Sequence, residues 1–121
     1  MRSDAERVSD ILTATAKIRE RVPDSIDALQ DDEMLQVWAI HHLQVIGEAA
    51  RGVSQSLKDR HPEVLWPQIV ALRNILVHEY FGLNMHQVWT MTQKDLPELK
   101  AQVQRIRSQI APDGTTSKGR A

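Results

Sequence analysis

The chain contains no cysteine, which excludes disulfides, thiolate metal sites and a cysteine nucleophile together. It also lacks any apolar run near the roughly 20 residues that a membrane-spanning helix requires. Neither sign of charge dominates: 15 Lys and Arg stand against 16 Asp and Glu, for a formal net charge of -1. A broad basic stripe, the usual means of coating a long nucleic acid, is therefore missing. Any polyanion must be held locally, in a pocket or a groove between subunits. The opening residues, Met1-Arg2-Ser3-Asp4-Ala5-Glu6-Arg7, are charged and have no apolar core of the signal-peptide kind. A cytoplasmic location is the expectation. What remains is an ordinary globular mixture, 41% hydrophobic over 121 residues, which suits one compact domain.

Apolar spacing reads as helix throughout. Val8, Ile11, Leu12, Ile18 and Val22 form a stripe between Asp4 and Val22, with Thr15 its one polar member. Pro23 ends that helix or bends it. Ser25 to Asp32 is a connection or a short helical turn. A second helix is predicted from Asp32 to Leu57, apolar around most of its circumference, with one narrow polar stripe through Gln36, Gln44, Glu48, Arg51 and Gln55. Such a helix must be covered on more than one side. Gly47 within it permits close approach by a neighbour. Lys58 to Trp66 is a polar connection, and Pro67 suits the first turn of a third helix that runs to Phe81, with Gly82 following its end.

Asn84 with Gln87, and Asp95 with Glu98 around Pro97, have the spacing of capping boxes. The fourth helix is accordingly expected to be long and bent, or split near Lys94, and to end near Ile110. The expected fold is all-α, an antiparallel up-and-down four-helix bundle over residues 1–110, followed by a flexible tail at 111–121.

The third helix carries the chemistry. At about 100° per residue, Ile69, Leu72, Ile75 and Leu76 share one arc, while Arg73, Asn74, Val77 and His78 spread over about 140° of the other. Val70 and Phe81 lie in that second arc too. Polar and apolar groups mixed on a face away from the core point to a second contact with another copy of the chain. Imidazole is suited to proton transfer near neutral pH, and guanidinium to the charge that builds on a phosphate under attack. Asn74, one turn before His78, is placed to bond its ring or a phosphate oxygen. His78 falls in the last turn of its helix, where the dipole favours the imidazolium form.

Arg73-Asn74-Ile75-Leu76-Val77-His78-Glu79-Tyr80 resembles the Arg-x4-His-x-Tyr motif of HEPN-domain toxins of the HepT type. The likeness extends to Ile46-Gly47-Glu48-Ala49-Ala50, to Pro62 and Trp66, to Tyr80-Phe81-Gly82, and to Val88-Trp89 followed by Asp95-Leu96-Pro97. It implies a helical bundle that dimerises with the motif helices at a cleft. It also implies an endoribonuclease that cuts RNA without metal or cofactor, with Arg73 and His78 catalytic and Asn74 supporting them. It further implies a nucleotidyltransferase antitoxin that silences the toxin by attaching AMP to Tyr80. The alternative is a non-catalytic HEPN module that binds a nucleotide or a nucleotidyltransferase.

Other residues have plainer readings. Glu48 is expected to pair with Arg51, and the resemblance allows it a supporting role in orienting Arg73. His41 and His42 are adjacent and point in different directions, and no His pair stands at i, i+4, so no metal site is expected. Trp38, Trp66 and Trp89 sit among aliphatics at helical spacing and are expected to anchor the core rather than to stack on bases.

Overall fold

The computed structural model describes residues 2–22, 24–71 and 85–110. Every regular element among them is helical: α1 (Asp4–Arg21), α2 (Ile26–Gln30), α3 (Glu33–Gly52), α4 (Gln55–Arg60), α5 (66–71), α6 (Met85–Thr90), a π-helical turn (Met91–Asp95) and α7 (Leu96–Gln109). Arg73, Asn74, His78 and Tyr80 lie outside the described residues, as do Gly82, Asn84 and residues 111–121.

α1 begins with a reciprocal cap. The Ser3 hydroxyl accepts the Glu6 N–H at 3.1 Å, and the Glu6 carboxylate accepts the Ser3 N–H at 2.8 Å. The apolar stripe read from the sequence is buried at Val8, Ile11 and Ile18. Thr15, its polar member, is buried as well, and its hydroxyl donates to the Ile11 carbonyl at 2.8 Å, so burial leaves no orphan group. α1 packs on α3 and α7. From α3 come Ala39, Leu43, Ile46 and Ala50, and from α7 Leu99, Val103 and Ile106. Each large side chain removed from water here contributes about 1.5–3 kcal/mol. α2 packs between α3 and α6.

Two boundaries differ from expectation. The predicted helix over Asp32–Leu57 stops at Gly52, and a separate short helix, α4, starts at Gln55. Val53 and Leu57 continue the apolar pattern and are both buried, so the pattern alone hides the break. Ser54 makes it, turning its hydroxyl to accept the Leu57 N–H at 3.2 Å.

The second difference concerns Asp95. It has helical backbone angles and makes no side-chain cap, so the expected box with Glu98 does not form. The chain passes through it by a π turn, with Leu96 N–H bonded to the Met91 carbonyl five residues back. Widening the helix there relieves the clash that the Pro97 ring would make with a carbonyl four residues earlier.

Candidate active site

Of the expected site residues, Glu48 alone falls within the described part of the chain. It lies on α3, exposed, with its Oε1 3.4 Å from the Arg51 guanidinium. Both side chains are more than half exposed, so this pair adds little stability. Arg73, Asn74, His78 and Tyr80 are outside the described residues.

What the structure does define is the turn that leads into α5, the last described element before Arg73 in the chain. α4 ends at His61, whose carbonyl accepts the indole N–H of Trp66 at 3.0 Å. Trp66 is 5% exposed, so this bond satisfies a donor that burial would otherwise strand. The His61 Nδ1 lies 3.3 Å from the Glu63 carboxylate, and Gln102 on α7 donates to the Glu63 carbonyl at 3.1 Å. Hydrogen bonding within this turn holds the Glu63 carboxyl below the usual carboxylate range. The turn over 61–65 is thus tied to α7, and Trp66 opens α5, with Pro67 in its first turn as expected. Sequence reasoning treated this segment as a plain connection. Trp66, five residues after His61, was its only signal.

Two concavities adjoin α5. One, of about 410 Å³, lies between α3, α5, the π turn and α7, with Leu43, Ile46, Ile69 and Leu99 in its walls. Its charged lining among the described residues is Asp95 and Glu98. Among the described residues it offers a phosphate two carboxylates and no cation. The other, more open and about 510 Å³, is lined by Gln55, Lys58, Trp66, Pro67, Val70 and Ala71. Val70 and Ala71 are three and two positions ahead of Arg73, and Lys58 supplies positive charge. Of the two, this concavity is the one whose described lining fits an anion.

Among the described residues no group of three or more His, Asp and Glu is gathered as metal ligands would be. None of the described helices is long and apolar enough to cross a membrane.

The sequence pattern of the family described as ribonuclease HepT-like matches residues 11–106. The chain belongs to this family. The HepT-like span runs from the middle of α1 through most of α7 and contains the whole of Arg73 to Tyr80. Ribonuclease is thus the activity class of the family, as the resemblance to HEPN proteins of the HepT type leads one to expect.

A Methanocaldococcus jannaschii protein provisionally named an RNase is 32% identical over 98 residues, 80% of this chain and 90% of that relative. One from Caldanaerobacter subterraneus subsp. tengcongensis, also provisionally named an RNase, is 32% identical over 107 residues, 88% of this chain and 96% of the relative. A Thermococcus cleftensis protein named probable ribonuclease HepT is 30% identical over 107 residues, 88% of this chain and 97% of its own length. No solved structure matches the chain.

Proposed function

We propose that the chain is the toxin of a toxin–antitoxin pair, a metal-independent endoribonuclease in which Arg73 and His78 are catalytic. The observation that carries this reading is the Arg73-x4-His78-x-Tyr80 pattern inside the span that matches the HepT-like family. The ribose 2′-oxygen attacks the adjacent phosphorus and gives up its proton, and the 5′-oxygen departs and takes one. The products are a 2′,3′-cyclic phosphate and a 5′-hydroxyl. His78 handles the protons, a role for which imidazole is matched to neutral pH. Arg73 balances the negative charge that grows on the pentacovalent phosphorus. Asn74 and Glu48 support them, Asn74 by bonding the imidazole or a phosphate oxygen and Glu48 by orienting Arg73.

In this reading the long helices make an antiparallel four-helix bundle, and two copies of the chain bring their motif helices to one cleft in the cytoplasm. A nucleotidyltransferase antitoxin transfers AMP to the Tyr80 hydroxyl. The added phosphate places negative charge and bulk where the RNA backbone must lie. Mass spectrometry of the chain made with and without its nucleotidyltransferase reads this directly, since each AMP adds roughly 329 Da.

The test of the catalytic assignment is incubation of the purified chain with total RNA in a metal chelator. Cleavage is expected from the wild type. Arg73→Ala and His78→Ala are each expected to lose at least about 100-fold in rate, the scale of a lost acid–base or charge-stabilising group. Intact RNA with the wild type would favour a non-catalytic nucleotide-binding or partner-binding module instead.

A further inference from the structure

The seam between α1 and α3 carries a cluster of cations that the catalytic proposal does not use. Lys17 and Arg21 are one turn apart on α1, and the adjacent His41 and His42 follow Trp38 by one turn on α3. The seam is built, not incidental. The Trp38 indole N–H donates to the Lys17 carbonyl at 3.1 Å, and the Arg21 guanidinium lies over the Trp38 ring, 5.0 Å from its centroid. Trp38 and His42 meet edge to face at 4.5 Å, and His41 meets His42 at 4.8 Å. Arg21 covers a face of the indole, so the ring positions the guanidinium and is not free to stack on a base.

Nothing among the described residues neutralises this group. Neither Lys17 nor Arg21 forms an ion pair there, and Asp10, two turns back along the same face of α1, is held by Arg2 at 2.8 and 2.6 Å. Glu20 lies about 60° further round α1, on its solvent side. The buried His42 ring registers the result. Burial disfavours its charged form most, and the positive charges of His41 and Lys17 add to that, with no carboxylate acting against them. Its Nδ1 is buried without a hydrogen-bond partner. In a chain of net charge -1, an uncompensated cluster of this kind is where phosphates are best held.

We infer that Lys17, Arg21 and His41 form a second RNA-binding surface, which holds backbone phosphates of a single strand. Side chains one helical turn apart start about 5–6 Å from each other, on the scale of neighbouring phosphates along one strand. The guanidinium, fixed over Trp38, meets a phosphate with less entropy to lose than a free side chain. The surface carries no base-reading group, so it adds grip and not sequence choice. This inference rests on the reading of the chain as an RNA-cutting enzyme, and it explains how a protein without net positive charge retains a long substrate.

The test uses a 20-nucleotide RNA with every 2′-hydroxyl methylated, which binds but cannot be cut by 2′-oxygen attack. Its affinity is measured by fluorescence anisotropy across a salt series, for the wild type, Lys17→Glu/Arg21→Glu, the milder Lys17→Gln/Arg21→Gln, and a control, Arg105→Glu/Arg107→Glu on α7. Both seam variants are expected to bind on the order of tenfold more weakly, and to lower the salt slope by about 1.4, the share of two phosphate contacts on a single strand. The α7 control is expected to retain its slope. An unchanged slope in the seam variants, or an equal loss in the control, overturns the surface. The readout is binding, so it stands or falls separately from cleavage: a chain that grips this RNA through the seam and yet cuts nothing would sink the catalytic proposal alone.

Discussion

Asp4 and Ser54, fifty positions apart, share two hydrogen bonds: the Asp4 carboxylate accepts the Ser54 amide at 2.9 Å and its hydroxyl at 2.6 Å. The same Ser54 oxygen accepts the Leu57 N–H. One serine therefore starts α4 and fastens it to the first turn of α1. Asp4→Ala removes both bonds and is expected to destabilise the fold by about 1–2 kcal/mol, and Ser54→Ala by a similar amount, since it keeps the amide bond to Asp4 but loses the hydroxyl bond and the helix cap. Urea unfolding measures both, and Ser54→Ala made in the Asp4→Ala background isolates the cap: no further loss there would mean that the cap contributes nothing.

At the end of α3, Gly52 lies against Arg7. A methyl group there would overlap the Arg7 guanidinium, whose Nε is buried without a partner. Gly52→Ala gains up to about 1 kcal/mol of helix preference but must push that side chain aside. It is expected to be close to neutral in the wild type and stabilising in an Arg7→Ala background. A double-mutant cycle checks this, and additive effects would show that the two do not touch.

These contacts explain which parts of the fold were legible. The apolar period of α1 was readable because burial follows it at Val8, Ile11, Ile18 and Val22, and at Thr15, with Leu12 only partly buried. The break at Ser54 was not, because it depends on Asp4, which is remote in sequence, while Val53 and Leu57 keep the helical pattern intact. The Asp95–Glu98 spacing misled because a π turn absorbs Pro97 and leaves nothing to cap. Trp66 was correctly expected in the core, but Trp38 is only half-buried and works through its N–H and its face. In the site, Arg73, His78 and Tyr80 were legible only through their order and their flanking segments. The cations at Lys17 and Arg21 escaped notice because a balanced total charge says nothing about local pairing.

Trp66 is the hinge between the structural and chemical halves of the chain. Trp66→Phe keeps most of the apolar contact but removes the N–H that the buried His61 carbonyl accepts, at an expected cost of about 1–3 kcal/mol. Because α5 leads into Arg73, RNA cleavage is expected to fall as well, by more than the unfolded fraction explains. Thermal unfolding and cleavage on the same samples separate the two effects.

His42 gives the fold a pH dependence of definite sign. Its folded-state pKa lies below the ordinary 6.5, chiefly through burial. The unfolded chain therefore binds more protons in the window just below 6.5, and stability rises with pH there. The His42 contribution is complete above pH 6.5 and is lost as the pH drops through the lowered folded value. The melting temperature is expected to decline from pH 7 to pH 5 in the wild type and to decline less in His42→Phe. Parallel curves would assign the decline to other groups.

In the proposed reaction the chain cuts RNA by using the substrate's own 2′-hydroxyl. A DNA oligonucleotide containing a single ribonucleotide, incubated with the purified chain in a metal chelator, tests it most directly. One cut is expected, on the 3′ side of the ribose, leaving a 2′,3′-cyclic phosphate, with no cut in His78→Ala. Cleavage at deoxyribose positions, or of the same strand with its one 2′-hydroxyl methylated, would contradict it.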